Sequence, residues 1–164
     1  MHPNENLLER FYTSFGKRDF ADMNSCYAPD AEFSDPVFAL RGKRVGAMWH
    51  MLCESGKDLR ITFRDLRADD TSGSVHWEAY YTFSMTGRSV HNVVEGTFVF
   101  RDGKILRHSD RFDFWKWSRM ALGFSGVLLG WSSLLRRQVQ KRADANLQRF
   151  LSAHPEYASV KQRQ

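Results

Sequence analysis

From residue 59 to residue 115 hydrophobic side chains recur at every second position, and this period limits the folds that the chain can adopt. The alternation is seen in four segments, residues 59–66, 74–86, 89–101 and 104–115. Such alternation is typical of strands with one buried face. The last three segments are separated by the turn sequences Thr86-Gly87-Arg88 and Arg101-Asp102-Gly103-Lys104. Short turns containing glycine join antiparallel strands, so the pattern predicts an antiparallel meander.

The residues before this region follow helical spacing instead. Apolar side chains form one stripe over residues 7–15, a second short helix is expected over residues 19–27, and a third begins at Gly42 and ends at Ser55. A run of helices followed by a run of strands indicates an α+β fold. We therefore expect three N-terminal helices packed on one face of a mostly antiparallel sheet.

Length and composition favour one domain with an ordinary packed core. A chain of 164 residues is short for two cores, and 42% hydrophobic with 14% aromatic residues suffices for one core that also lines a cavity. Cys26 and Cys53 lie in predicted helices without metal-ligand spacing, so we expect neither a disulfide nor a zinc site. The polar N-terminus lacks a signal-peptide pattern, which predicts a cytoplasmic protein.

Residues 118–164 are expected to form a helical C-terminal extension of the domain made by residues 1–117. Met120 to Leu135 is apolar but interrupted by glycines and short for a bilayer, so we interpret it as a packed or pocket-covering segment. An amphipathic helix is predicted from Leu135 to His154. Several basic residues of this part contribute to the net charge of +5. A solvated helix face explains them better than nucleic-acid binding, and packing in the chain or a dimer is favoured over membrane contact.

Several polar side chains fall on strand faces that are otherwise apolar. The inner faces carry His108 and Asp110 in the last strand, Asn92 and Tyr81 in the two before it, and Asp35 in a short irregular strand near residue 35. Burying such a group without a partner costs roughly 2–7 kcal/mol. These side chains either satisfy each other as an ordinary polar network or converge on a cavity, and we favour the cavity.

The chemistry predicted for such a cavity is acid–base catalysis without a metal or other cofactor. A carboxylate among aromatic side chains has a raised pKa and accepts protons better near neutral pH. Asp35 or Asp110 is therefore the candidate base, and His108 the orienting group or acid. The expected ligand-binding residues are Tyr12, Trp49, Trp77, Tyr81, Asn92, Phe112 and Phe114. Nucleophilic serine chemistry is not expected, because the chain has no Gly-x-Ser-x-Gly elbow.

A set of short motifs covers residues 5 to about 116. They include Phe11-Tyr12, Arg18-Asp19-Phe20, Tyr27-Ala28-Pro29-Asp30-Ala31, Phe33-Ser34-Asp35-Pro36, Leu40-Arg41-Gly42, the run Gly96 to Ile105, and the run His108 to Asp113. Together they resemble the nuclear transport factor 2-like superfamily, and its SnoaL-like and ketosteroid-isomerase-like members most. The resemblance implies a cone-shaped curved sheet, a homodimer, and a small hydrophobic ligand at the open end of the cone. The same fold carries isomerases, cyclases, hydrolases, dehydratases and proteins without catalysis.

The resemblance extends to individual residues only in part. Asp35 matches the proton-abstracting aspartate of ketosteroid isomerase, but Phe11 and Gly96 stand where that enzyme has its oxyanion donors, so steroid isomerisation is not expected. Asp110 matches an acid of limonene-epoxide-hydrolase-like members, whose Arg and Asp are missing from residues 75–84. The sequence thus predicts an isomerase, cyclase, dehydratase or hydrolase type of catalyst. The alternatives are a non-catalytic binder of a lipophilic ligand and a dimerisation module.

Overall fold

A computed structural model describes residues 1–158 of the chain. The N-terminal helices are α1 (Pro3–Gly16), α2 (Phe20–Ser25) and α3 (Lys43–Ser55). The strands are β1 (Tyr27–Ser34), β2 (Ala39–Arg41), β3 (Arg60–Ala68), β4 (Ser72–Phe83), β5 (Arg88–Arg101) and β6 (Lys104–Arg111). The chain continues with α4 (Phe114–Leu122), α5 (Phe124–Leu129), α6 (Ser133–Ala153) and a 3-10 turn (Pro155–Tyr157).

The strands form one curved, open sheet in the order β2-β1-β6-β5-β4-β3. All neighbours are antiparallel except β1 and β6, which run parallel. The α+β fold predicted from the sequence, with three N-terminal helices on a mostly antiparallel sheet and a helical extension, is therefore confirmed.

Local sequence signals account for the main elements. His2 and Glu5 form a capping box at the start of α1, next to Pro3 at a position where its missing N–H is not needed. Asp102 and Gly103 adopt φ angles of 52° and 69°, which close the two-residue turn between β5 and β6. Helix α1 then buries its apolar face on the concave side of the sheet.

The structure corrects the limits of two predicted strands. The strand around residue 35 is β1, which begins at Tyr27 and ends at Ser34, so Asp35 follows the strand and does not belong to it. The last strand ends at Arg111, since the Asp113 side chain accepts a hydrogen bond from the Lys116 N–H and caps α4. Phe114 is therefore a helical residue. The alternation of hydrophobic residues continues past Arg111, but it does not reveal that Asp113 caps a helix there.

A bulge in β6 also changes which residue at the start of this strand is buried in the core. Val99 pairs with Arg107, but the next residue, Phe100, pairs with Ile105. Because of this bulge Ile105 is completely buried, whereas Leu106, which the alternation placed on the inner face, is only partly buried. His108 and Asp110 keep the inward direction that the pattern predicts.

The C-terminal extension begins with α4 at Phe114, before the predicted boundary at residue 118, and it covers one end of the sheet. Helix α4 packs Phe114, Trp117 and Ala121 against Val90 of β5, and the amphipathic helix predicted to His154 is α6. The interpretation of residues 120–135 as a packed segment was wrong in part, because Phe124 is 77% and Trp131 75% exposed. Among residues 1–158 no helix is both long enough and apolar enough to cross a membrane.

Replacing Gly126 with alanine is expected to destabilise this extension by about 2 kcal/mol, because overpacking against rigid backbone forces a shift. A Cβ atom at Gly126 would lie 2.0 Å from the Ser118 carbonyl oxygen. Gly16→Ala is the control, since nothing lies within 4 Å of its Cβ position. Thermal unfolding, with limited proteolysis between α4 and α6, measures the effect. Equal stability of Gly126→Ala and the unchanged protein would show that the contact is not tight.

Candidate functional site

A network of polar side chains lies inside the sheet and is sealed from solvent. His108 is 0% and Asp110 3% exposed, as their place on the inner face of β6 predicts. Tyr27 reaches them from β1, Trp49 from α3 and Trp77 from β4. Strand and helix pairing thus brings together residues that lie up to 83 positions apart in the sequence.

The indole N–H groups and the Asp110 carboxylate give the directions of the hydrogen bonds in this network for a neutral His108 ring. An indole N–H only donates, so Trp49 donates to the Tyr27 oxygen over 2.9 Å. The Asp110 carboxylate accepts at His108 Nε2, so a neutral ring carries its proton on Nε2, and Nδ1 accepts from the Tyr27 hydroxyl over 2.6 Å. His108 Nε2 donates to Asp110 Oδ1 over 2.9 Å, and Trp77 donates to the same oxygen over 3.3 Å. Both ring nitrogens of His108 are therefore used inside the protein.

One hydroxyl beside this network has no partner among residues 1–158. The Tyr12 hydroxyl is buried without a hydrogen bond, and burial raises its pKa well above the ordinary value, so it remains a neutral donor. A Cβ atom on Gly96 would lie 3.0 Å from both the Tyr12 hydroxyl and Asp110 Oδ1. Gly96 pairs with Asp110 across the strands. Because Gly96 has no side chain, the Tyr12 hydroxyl and the Asp110 carboxylate can both lie close to its backbone.

Asp35 lies apart from the sealed network, in the turn between β1 and β2. Its Oδ1 atom accepts hydrogen bonds from the Val37 and Phe38 backbone N–H groups over 2.7 and 2.6 Å. Its Oδ2 atom has no hydrogen-bond partner in the described part of the chain. Burial raises the pKa of Asp35 to about 6, against the lowering effect of the two N–H groups, and the charge of Asp110 adds to the increase.

The side chains around Asp35 form a second layer, between the sealed network and α4. The Tyr81 hydroxyl accepts a hydrogen bond from the Trp117 indole N–H over 2.9 Å. Burial raises the pKa of Tyr81, and the nearby charge of Asp35 raises it further. Phe112 packs in the same layer, and Asn92 is partly buried on the inner face of β5. This layer therefore combines one carboxylate, one phenol and apolar walls.

The predicted residues thus fall into two groups. The sealed group holds Tyr12, Trp49, Trp77, His108 and Asp110. The layer beneath α4 holds Asp35, Tyr81, Asn92 and Phe112, and α4 itself contributes Phe114. Two open surface depressions lie elsewhere: one is near His76 on the outer face of the sheet and the other near Arg107. Neither depression is lined by Asp35, His108 or Asp110.

Sequence reasoning missed two members of these groups. Tyr27 was expected at the end of a helix but is the first residue of β1, where it reaches His108. Trp117 was not among the predicted site residues, but it donates to Tyr81 from α4. For both residues the only sequence signal is a hydrogen-bonding aromatic side chain in an apolar context, which also describes an ordinary core residue.

A separate cluster links α3 to the end of the chain. The ligand atoms of His50, Glu54 and His154 lie within 4.8 Å of one another, the only group among residues 1–158 that could hold a metal ion. His50 already pairs with the Tyr157 hydroxyl through Nδ1 and with Glu54 through Nε2, both at 2.9 Å. These contacts account for the cluster as a connection between the extension and α3.

The fold and the buried acid–base groups define the class: an α+β cone of the nuclear transport factor 2-like superfamily. Within it, the chain belongs to the SnoaL-like domain family, whose model matches residues 8–108. The match ends at His108, so the C-terminal extension lies outside it. A comparison with curated proteins gave no match.

Solved structures show the same fold at low sequence identity. An NTF2-like protein of unknown function from Burkholderia pseudomallei superimposes with a TM-score of 0.63 at 18% identity, over 73% of this chain and 98% of that one. A proposed polyketide cyclase from Xanthomonas campestris gives 0.61 at 18%, over 72% and 96%. An LEH-like epoxide hydrolase from M. tuberculosis gives 0.58 at 18%, over 81% and 95%. These similarities establish the fold.

Proposed function

We propose that this protein is a cofactor-independent acid–base enzyme that acts on a small hydrophobic molecule, with Asp35 as the base. The observation that carries the proposal is the state of the Asp35 carboxylate. Two backbone N–H groups hold one of its oxygens, the other oxygen has no partner in residues 1–158, and its pKa of about 6 suits proton abstraction near neutral pH. A carboxylate needed only for the turn would not require a desolvated position.

The reaction that such a base supports is removal of a proton from a carbon next to a carbonyl group. The proton moves to Asp35 Oδ2, and the electron pair of the C–H bond moves to the carbonyl oxygen. That oxygen needs a neutral donor. The Tyr81 hydroxyl, which accepts a hydrogen bond from Trp117 and whose pKa the charge of Asp35 helps to raise, is the candidate donor. The unpartnered Tyr12 hydroxyl belongs to the sealed group and takes no part in this step.

His108 takes a positioning role in this proposal. Because both of its ring nitrogens are hydrogen-bonded and it is completely buried, it does not touch a ligand in this arrangement. It orients Asp110, whose charge adds to the raised pKa of Asp35. Of the two candidate bases, we favour Asp35, because Asp110 lies in the sealed network and Asp35 does not.

The tight packing of the interior favours a second candidate, from a different class. Aromatic side chains surround His108, with ring centroids of Phe98 and Phe33 at 4.3 and 5.0 Å from its own. A core filled in this way favours a dimerisation module. A non-catalytic binder of a lipophilic ligand, which needs space in the layer beneath α4, is the other alternative. Both of these predict no turnover.

Asp35→Asn is expected to lower the rate of proton abstraction by about 100-fold or more, the usual contribution of a positioned base. A suitable probe is 5-nitrobenzisoxazole, which loses its C–H proton to a base and opens by N–O cleavage to a coloured phenolate. Its turnover is followed by absorbance at pH 7.5. Asp102→Asn is the matched control, because Asp102 is an exposed turn residue at a φ that asparagine also tolerates.

The results separate the candidates. If Asp35→Asn and the unchanged protein convert the probe equally, Asp35 is not the base. If the probe binds, as measured by calorimetry, and is not converted by either protein, the chain is a binder. If it neither binds nor reacts and the protein is dimeric by light scattering, the dimerisation module is the better description.

A further inference from the structure

The segment between α4 and α6 presents an apolar stripe to solvent. Phe124, Val127, Leu128 and Trp131 recur at helical spacing and are 77%, 50%, 52% and 75% exposed. We call these four residues the apolar stripe. Their positions are typical of the buried face of a helix, yet no part of residues 1–158 covers them.

The opposite side of α5 explains why the stripe faces outward. The Cβ positions of Gly126 and Gly130 lie 2.0 and 2.1 Å from Ser118 of α4, so only glycine permits this contact. Two glycines four residues apart thus fasten one side of α5 to α4. The four large side chains are left on the other side, in an orientation that the backbone contact holds.

Charge is distributed around the stripe in a specific way. Residues 120–135 contain no ionisable side chain, and basic residues stand on both sides of them. Within residues 114–158 these are Lys116, Arg119, Arg136, Arg137, Lys141, Arg142 and Arg149, against only Asp144 and Glu156. In residues 1–113, by contrast, 15 basic residues face 17 acidic ones. The positive charge of the protein is therefore concentrated beside its exposed apolar surface.

We propose that the apolar stripe docks on the surface of a membrane that contains anionic phospholipids. Aromatic side chains such as Phe124 and Trp131 suit the headgroup level, and the flanking cations suit the phosphate and carboxylate groups of the lipids. A second copy of the chain fits less well, because a symmetric contact through the stripe would bring two cationic flanks together. This docking is independent of the function proposed for the layer around Asp35.

Val127→Glu is expected to weaken binding to vesicles of phosphatidylcholine and phosphatidylserine by about tenfold or more. The substitution places a carboxylate in the apolar stripe, which faces anionic lipid when the protein is bound to the membrane. Co-sedimentation of the full chain measures the partition. The matched control is Val99→Glu, the same substitution at a valine that is 37% exposed on the outer face of the sheet. Circular dichroism checks that both variants are folded.

The contribution of the basic residues to membrane binding can be tested separately. The side chains of Lys116 and Arg137 are exposed and make no hydrogen bond or ion pair among residues 1–158, so their replacement by glutamine leaves the described contacts intact, including the backbone hydrogen bond from the Lys116 N–H to Asp113. Each replacement is expected to weaken the partition about fivefold, which corresponds to about 1 kcal/mol per charge. Added salt should weaken binding of the unchanged protein in the same direction.

Three results would overturn the proposal. Val127→Glu could bind the vesicles as well as the unchanged protein does. Binding could be the same on phosphatidylcholine alone and insensitive to salt, so that anionic lipid plays no part. Light scattering could show a dimer that Val127→Glu converts to a monomer while the unchanged protein ignores vesicles, which would make the stripe a contact between subunits.

Discussion

Asp110→Ala is expected to lower the free energy of unfolding by about 3–5 kcal/mol, because a buried donor left without its acceptor costs about 1–3 kcal/mol and Asp110 serves more than one donor. Asp110 Oδ1 accepts hydrogen bonds from both Trp77 and His108. Without it, two buried donors lose their acceptor, and the space around Gly96 grows. The lost packing adds to the lost hydrogen bonds.

Chemical denaturation measures this loss. If the slope of the transition is the same in both proteins, the change in midpoint reports the change in stability. Arg111→Ala is the control, because Arg111 is the next residue of β6 but is exposed, and surface substitutions usually change stability by no more than about 0.5 kcal/mol. A loss below about 1 kcal/mol for Asp110→Ala would mean that water or a rearranged side chain satisfies Trp77 and His108. In that case the network would not be rigid.

Asp35→Asn is expected to act in the opposite direction and to stabilise the protein by up to about 3 kcal/mol at pH 7.5, which is the equivalent of the pKa change of Asp35. Asparagine keeps an oxygen that can accept from the Val37 and Phe38 N–H groups, so the turn is preserved. Only the desolvated charge is removed.

The pH dependence follows from the sign of the pKa change. The pKa of Asp35 is raised from 3.8 to about 6 by folding, so between these values the folded state holds more protons than the unfolded state. Stability from this group falls as the pH rises from about 4 to about 6 and is then constant. The difference between Asp35→Asn and the unchanged protein should therefore be near zero at pH 4 and largest above pH 6.

Denaturation at a series of pH values provides the measurement, and Asp102→Asn is again the control. A constant difference between pH 4 and pH 8 would show that Asp35 is not desolvated in the folded protein. A carboxylate that lowers stability while charged is consistent with a functional position, because binding sites commonly trade stability for reactivity. The stability and rate measurements on Asp35→Asn thus examine one property of the carboxylate in two ways.

Much of the fold could be predicted from period and turn residues alone. The change from helical spacing to alternation identified α3 and the strands β3 to β6, and alternation also identified the inward direction of His108 and Asp110. Side chains of a strand point to opposite faces in turn, so facing is a local property. The motifs shared with the SnoaL-like family added the curvature of the sheet, which no single segment encodes.

The arrangement of the site could not be predicted in the same way. Alternation placed Asp35 in a strand, but a turn that uses its carboxylate lies there, and Tyr27 reaches His108 only because β1 pairs in parallel with β6. The packed segment expected near residue 124 became an exposed stripe, since Gly126 and Gly130 face α4. Hydrogen-bond partners far apart in the sequence depend on strand order and register, which no local pattern contains.

The amino-acid sequence by itself therefore determined the main helices and strands, the superfamily and most of the polar residues that face inward. Only the tertiary structure separated them into a sealed network and a partly accessible carboxylate. The physical reason is that facing depends on backbone geometry within one strand, whereas desolvation and pairing depend on which other strands and helices close around the side chain.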